Sequence, residues 1–303
     1  MAELSVLIPA RNEEFLGLTI DSVLKNTTSD TEVIAILDGY WPDPQLLDHP
    51  KVTLIHHTES VGQRAAVNEG ARLSQAKFVM KLDAHCTVDH GFDTKLINDC
   101  KRRNWTLVPL MKNLHAFDWK CSKCGKKYYQ ADRPESCCGL KEFEKVVVWR
   151  PRKGKETSSW RFDNELHFQY WQSYLKRPQA RRNMMETMCF IGACWFMHRE
   201  QYWNLEGLDE EHGSWGQVGV EVSCKTWLSG GKLITDKNTW FAHMFRTNRN
   251  FTFPYQISGN AQNRARKYSR DLWLNDKWPK AKYPLSWLIE KFKPVPGWHE
   301  QRN

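Results

Sequence analysis

Apolar positions in the first hundred residues fall into short runs, separated by stretches of helical spacing. Residues 4–10 alternate into Pro9 as a strand does, and Asn12, Glu13 and Glu14 read as the start of a helix reaching about Lys25. Glu32 to Leu37 predicts a second strand, closed by Asp38-Gly39, and Val52 to Ile55 a third. Between Gly62 and Ser74 the residues Ala66, Val67, Gly70 and Leu73 recur at helical spacing, and Lys77 to Leu82 returns as a strand. Thr106 to Met111 is a further strand. Strands alternating with helices imply an α/β fold with a mostly parallel sheet, whose ligands bind beyond the carboxyl ends of the strands. Asp38 and Asp83 stand at two such ends.

After Met111 the pattern breaks. A cysteine-bearing and then basic stretch fills 112–160, and apolar periodicity resumes from Leu166. The chain therefore divides into 1–111, an inserted subdomain at 112–160, a second half at 161–250 and a basic segment at 251–303. No internal repeat is present.

Composition narrows the class without choosing a function. At 303 residues, 41% hydrophobic and 26% charged, the chain has the make-up of a globular protein and not of a disordered or collagen-like one. Each apolar run stops far short of the roughly 18 to 20 residues needed to span a bilayer, and no basic, long-apolar, small-residue succession follows Met1. No membrane association is expected, and the default compartment is the cytosol; oligomeric state stays open. The net charge of +9 favours polyanionic partners such as nucleic acid, anionic membrane or phosphorylated ligands. The last 43 residues contribute ten Lys/Arg against four Asp/Glu.

Nine cysteines are too few for a disulfide scaffold in a chain of this length. Four of them form a unit, Cys121-Ser122-Lys123-Cys124 followed by Cys137-Cys138. A CxxC turn places two thiolates on one side of a tetrahedral Zn²⁺, and a second pair closes the site. Two disulfides or a redox pair are the alternatives. A zinc knuckle here would staple an insertion too small to own a core.

Asp83-Ala84-His85 directly follows an apolar strand and sets a carboxylate and an imidazole two positions apart. That pair suits a divalent ion such as Mn²⁺ or Mg²⁺, with other positions left to water and phosphate oxygens. A strand-end Asp that merely caps a turn is the structural alternative.

A run of motifs supplies the context. Trp215-Gly216-Gln217-Val218-Gly219-Val220-Glu221, then Trp227, Gly230-Gly231-Lys232-Leu233 and Ala242-His243-Met244-Phe245-Arg246, resembles the segment of polypeptide N-acetylgalactosaminyltransferases from the Trp-Gly motif to the metal-binding His. Ser5 to Glu13 (SVLIPARNE) is similar to the opening strand of GT-A glycosyltransferases, including family 2, and Leu37-Asp38-Gly39 to the strand end that meets the nucleotide base. Asp83-Ala84-His85 matches the Asp-x-His variant of the DxD motif. Thr252-Phe253-Pro254 and the run from Asn263 to Asn275 are similar to the flexible loop and closing segment of those enzymes.

The resemblance implies a GT-A nucleotide-diphospho-sugar transferase fold, a Rossmann-like mixed sheet with a small Cys-rich zinc-binding insertion. The segment 1–111 becomes its nucleotide-sugar half and 161–250 its acceptor side. Asp83, His85 and His243 are implied as Mn²⁺ ligands bridging the diphosphate of a UDP-sugar, with a retaining outcome. Pro9, Arg11, Asp38 and Arg246 are implied on the nucleotide, and Trp215 and Glu221 along the sugar and acceptor site. In an inverting reaction, which family 2 members often perform, Glu221 would serve as the base. Where the family typically reads Trp-Gly-Gly-Glu-Asn, Val218 and Gly219 replace the Glu-Asn pair, and the sugar is left open.

For the acceptor, the basic segment, the knuckle and abundant aromatics favour nucleic acid, with a hydroxymethylated pyrimidine of DNA as the nucleophile, flipped from its duplex. Trp160, Arg161, Phe162, Phe168, Tyr170 and Trp171 fall where a GT-A enzyme builds its acceptor side. A Ser/Thr side chain of a protein is the alternative acceptor. A non-catalytic nucleic-acid-binding relic of the fold is a rival of another class, but it has no need of Asp83, His85 and His243 together.

Overall fold

The computed structural model describes residues 2–246, 251–257 and 259–298. The far ends of the segments expected at 161–250 and 251–303 lie outside the described residues. The first strand, β1 (Leu4–Ala10), is apolar apart from the small Ser5 hydroxyl and wholly buried from Leu4 to Ile8, as befits a strand covered on both faces. It pairs in parallel with β2 (Thr31–Asp38), reached through α1 (Leu16–Asn26), and β2 pairs in parallel with the edge strand β3 (Val52–His57). Helix α2 (Gln63–Leu73) returns the chain to β4 (Phe78–Leu82), parallel to β1 on its other side.

Beyond β4 the sheet turns mixed. The short β5 (Cys86–Val88) and α3 (Phe92–Asp99) lead into β6 (Trp105–Cys121), a strand of 17 residues. The expected strand 106–111 is thus only its first half, and the break expected at 111/112 falls inside it. The reason is that β6 changes partner without ending. Its first part lies parallel to β13 (Lys232–His243) as far as Asn113, and its outer part pairs antiparallel with β8 (Phe143–Thr157) and with β7 (Lys127–Tyr129). The insertion is therefore a β-arm grown out of the central sheet. It carries twelve Lys/Arg against six Asp/Glu between residues 112 and 157, a basic surplus as large as that of the C-terminal segment.

The chain then forms the small pair β9 (Trp160–Phe162) and β10 (Phe168–Tyr170), followed by β11 (Met184–Glu186) and β12 (Cys194–His198). Next come α4 (Arg199–Asn204), α5 (Val218–Leu228), β13 (Lys232–His243), α6 (Gly259–Leu274) and α7 (Leu285–Phe292). The strand order is β11-β13-β6-β12-β4-β1-β2-β3, with β12 antiparallel to both neighbours. No helix among the described residues is long and apolar enough to cross a membrane.

A buried ion cluster ties α2 and α5 to the loop between α4 and α5. Glu221 is 0% exposed. Its carboxylate accepts from Arg64 Nε at 2.9 Å and from the amide of Asp209, and pairs with Lys225 Nζ at 3.0 Å. Arg64 goes on to donate to the carbonyls of Gly213 (3.0 Å) and Gly216 (2.6 Å), which hold Trp215 between them. Burial alone would raise the pKa of Glu221, but Lys225 and Arg64 outweigh it and keep the carboxyl ionised. The expectation that Glu221 lines the acceptor site or acts as a base is corrected here: both oxygens are spent inside the fold. A carboxylate at the first turn of α5 also sits favourably on the helix dipole.

Glu221→Ala leaves Arg64 and Lys225 buried with no compensating charge. It should cost about 3–5 kcal/mol of folding free energy, read as a fall in the urea midpoint. A fold of unchanged stability with reduced turnover would restore Glu221 to the chemistry.

Candidate active site

The carboxyl ends of β1, β2 and β4, the first turn of α5 and the end of β13 surround one cavity of about 660 Å³. Its lining includes Pro9, Arg11, Asp38, Asp83, His85, Trp215, His243 and Arg246. Eight of the nine positions expected for catalysis, nucleotide and Mn²⁺ therefore converge, and Glu221 is the one that does not.

Asp83 leaves the end of β4, His85 precedes β5, and His243 ends β13, which pairs with β5 through His243 and Cys86. That pairing brings residues 160 positions apart into contact. His243 Nε2 lies 3.2 Å from Asp83 Oδ2 and 3.1 Å from His85 Nε2, and all three ligand atoms fit within 4.8 Å of one another. Glu13 Oε2 accepts from His85 Nδ1 at 2.9 Å. A carboxylate on Nδ1 keeps the ring proton there and turns the Nε2 lone pair toward Asp83 and His243, the arrangement a metal-ligating imidazole needs. One carboxylate oxygen and two imidazole nitrogens, with an open side toward the cavity, fit Mn²⁺.

The electrostatics favour the same state. Burial raises the pKa of Asp83, but the Lys81 ammonium and the two imidazoles outweigh it and hold the carboxyl well below the usual range. Burial likewise raises Glu13, and His85 and Arg246 more than reverse it. For His243, burial dominates and pushes the pKa down to about 4, leaving a neutral ring at pH 7.

Around this centre the other predicted residues take distinct places. Asp38 reaches the cavity, but its oxygens accept from Ser60 Oγ (2.7 Å) and the amides of Val61 (2.6 Å) and Gly62 (3.2 Å), so it shapes the loop before α2. The Arg11 guanidinium stacks 4.9 Å from the Tyr255 ring. Arg246 pairs with Glu13 at 2.9 Å and donates to the Thr252 carbonyl at 3.1 Å, and Asn12 donates to that of Pro254 at 2.6 Å. Residues 251–257 are thereby fastened over the cavity, where Phe253 meets Trp215 edge-on.

The departure at Gly219 has a steric basis. A Cβ on Gly219 would lie 2.0 Å from the Phe190 carbonyl oxygen, and one on Gly192 (φ +87°) would lie 2.9 Å from the Gly219 amide. The first turn of α5 touches the backbone of the 190–192 loop, and only glycine fits between them. On the acceptor side, Trp160 and Phe162 are 0% exposed and Trp171 is buried, so these expected acceptor contacts are core. Phe168 does line the cavity, and Tyr170 is exposed. Arg161 is tied to the Pro296 carbonyl at 2.6 Å.

Sequence reasoning missed Glu13 and Lys81 as site residues. Glu13 reads as a helix-start acid although it lies in the matched motif. Lys81 is visible as the one charged residue in Phe78-Val79-Met80-Lys81-Leu82.

At the tip of the arm lies a second cluster. Cys121, Cys124, Cys137 and Cys138 bring four thiols within 4.8 Å of one another, and none is in a disulfide. The Cys124–Cys137 and Cys137–Cys138 sulfurs stand 3.6 and 3.7 Å apart. Hydrogen bonding to the Lys126 backbone and to neighbouring thiols lowers Cys124 to about 7.

Comparison with known proteins agrees with this geometry. Residues 5–108 match the family described as Glycosyl transferase family 2. Over 274 residues it is 26% identical to the putative polypeptide N-acetylgalactosaminyltransferase 13 of Drosophila melanogaster, covering 84% of this chain and 44% of that one. Over 285 residues it is 25% identical to human polypeptide N-acetylgalactosaminyltransferase 14, covering 90% and 46%. The chain thus spans less than half the length of these relatives. Among solved structures, GalNAc-T7 with UDP, GalNAc and Mn²⁺ superposes with a TM-score of 0.67 at 17% identity, over 95% of this chain and 57% of that one. Staphylococcus aureus TarS 1–349 in complex with UDP-GlcNAc gives 0.55 at 11%, over 96% and 70%. The fold is the mixed α/β GT-A type.

The depressed pKa of His243 sets a pH dependence. An unfolded histidine takes up its proton near pH 6.5 and His243 only near 4, so below 6.5 the unfolded state binds the extra proton and stability falls toward pH 4. The loss should total about 3 kcal/mol, measured by urea unfolding in EDTA between pH 7 and 4. His243→Phe should lack this slope.

Proposed function

We propose that this chain is a metal-dependent glycosyltransferase that moves a sugar from UDP to a hydroxyl acceptor. The observation that carries the reading is the convergence of Asp83, His85 and His243 in a cavity at the strand ends of a chain that matches family 2 over residues 5–108. These three residues would hold Mn²⁺, which when bound stabilises charge on the departing diphosphate. Pro9, Arg11 and the loop shaped by Asp38 flank the nucleotide, and Trp215 with Val218 and Gly219 forms an apolar wall for the sugar. Arg246 supplies a fixed cation beside the phosphates. A relic binding module would have no use for this set.

The geometry also bears on stereochemistry. An inverting transfer needs a carboxylate free to take the acceptor proton. Among the described residues, the carboxylates lining the cavity are Glu13, Asp38 and Asp83, each already engaged. That supports retention.

The relatives' names make the Ser/Thr hydroxyl of a polypeptide the acceptor that fits best. The surplus of basic residues on the β-arm suits a polyanion, and DNA bearing a hydroxymethylated pyrimidine is the second acceptor to be tested. For the arm itself we propose a structural Zn²⁺ on Cys121, Cys124, Cys137 and Cys138. Sulfurs 3.6–3.7 Å apart match the edge of a tetrahedron with Zn–S of about 2.3 Å and lie far beyond a disulfide bond of about 2.05 Å.

UDP release from a panel of UDP-sugars, with Ser/Thr peptides and hydroxymethylated DNA offered separately, tests donor and acceptor. Stimulation by peptide is expected, and stimulation by modified DNA alone would replace that acceptor with the second one. EDTA should stop release, and Asp83→Asn or His243→Ala should lower it roughly 1000-fold; full activity in either variant removes the metal assignment.

Zinc makes a separate prediction. Protein purified under reducing conditions should hold about one equivalent, lost together with thermal stability in Cys121→Ser. Zinc-free protein of full stability would refute the knuckle.

A further inference from the structure

Lys81 lies fully buried in β4, where an ammonium persists only if its three protons find acceptors. Its Nζ donates to Asp83 Oδ1, to the Gly192 carbonyl at 2.9 Å and to that of Ala193 at 3.5 Å. Gln63 Nε2 approaches the same Asp83 oxygen at 3.4 Å. Asp83 Oδ1 is therefore spent on the protein, and only Oδ2 faces His243. Asp83 can offer a metal one oxygen and not two.

The charges around the triad cancel. Asp83 pairs with Lys81, and Glu13, which holds His85, pairs with Arg246. A dication entering this group alone brings two uncompensated charges into a partly dry cavity, whereas a dication entering with a nucleotide diphosphate does not.

We propose that Lys81 is a positioning residue that makes tight metal binding conditional on the nucleotide, by cancelling the charge of Asp83 and committing one of its oxygens. The inference rests on the donor reading above. Without Lys81 the group would carry a net negative charge and Asp83 would be free to present both oxygens, which suits a bare Mn²⁺. The same lysine anchors the Gly192 carbonyl, so the cation that meters the metal also fixes the loop against which α5 packs.

The test is calorimetric and needs no turnover. Mn²⁺ alone, UDP in EDTA, and UDP with saturating Mn²⁺ are titrated into wild type, Lys81→Met and Lys81→Arg. Lys81→Met should bind Mn²⁺ alone about 10-fold more tightly than wild type and show a correspondingly smaller gain in Mn²⁺ affinity from UDP, a coupling that must be reciprocal. Lys81→Arg, which keeps the charge, should stay near wild type. Mn²⁺ binding by Lys81→Met that is unchanged or weaker would overturn the proposal, because a lysine that only props up Asp83 would lose metal affinity when removed.

Should Lys81→Met fail to fold, Asp83→Asn reads the same charge from the other side. It leaves Lys81 uncompensated and should bind UDP in EDTA several-fold more tightly than wild type; unchanged or weaker binding overturns the proposal. A wild type that binds neither Mn²⁺ nor UDP would instead overturn the donor reading itself.

Discussion

The constraint on which the structure depends is the need to compensate charge withdrawn from water at the carboxyl ends of β4 and β13. Glu13 is a buried carboxylate and Asp83 a largely buried one at the floor of the cavity, and each is held ionised by its partners. Lys81 from below and Arg246 from the side supply them. Those partners fix the surroundings in turn, since Lys81 binds the loop at 192–193 and Arg246 the segment from Thr252. A second compensated cluster, Glu221 with Arg64 and Lys225, holds the Trp215 loop in the same way. The walls of the cavity are held largely by charge pairs behind them.

That division explains which residues the sequence could reveal. Asp83, His85 and His243 show in the sequence because metal ligation demands particular residue types at a strand end and in a matching motif. The strands β1, β2 and β4 show because a strand covered on both faces must be almost wholly apolar. Glu221 is different. An acid on a helix looks alike whether it faces a substrate or an arginine 157 positions away, and only the packing of α2 against α5 decides. Trp160, Phe162 and Trp171 fail as acceptor contacts for the same reason: aromatic composition carries no information about direction. Lys81 could have been found by asking what neutralises a lysine inside an apolar strand.

The arm was half legible. Its cysteines show in the sequence as a close-set group, but the continuity of β6 across Met111 was hidden, because β8 takes over the edge that β12 leaves after Leu107 while β13 still pairs on the opposite edge as far as Asn113. Irregular pairing near residue 113 marks the exchange. Such a change of partner leaves no turn residues in the sequence.

The position of the cysteines then follows from what a projecting hairpin lacks. Near the sheet the arm is backed by Phe15, Leu114 and Phe117, with Lys145 lying over the Phe117 ring at 4.3 Å. Toward the tip that support gives out: Cys124 and Cys138 are exposed, and two glycines, Gly125 and Gly139, adopt positive φ with open space around them. A tip with so little apolar surface to bury cannot offset the entropy of ordering its turns. Four thiolates around one ion, as proposed for this cluster, would close both turns at once without requiring a core. Two positive charges would offset only part of four thiolates, and Lys123, Lys126 and Lys127, close by in the sequence, would contribute toward the remainder. On that reading part of the arm's basic surplus would balance its own metal site, while Arg150, Arg152, Lys153 and Lys155 stand apart from it, on the half of β8 closer to the sheet.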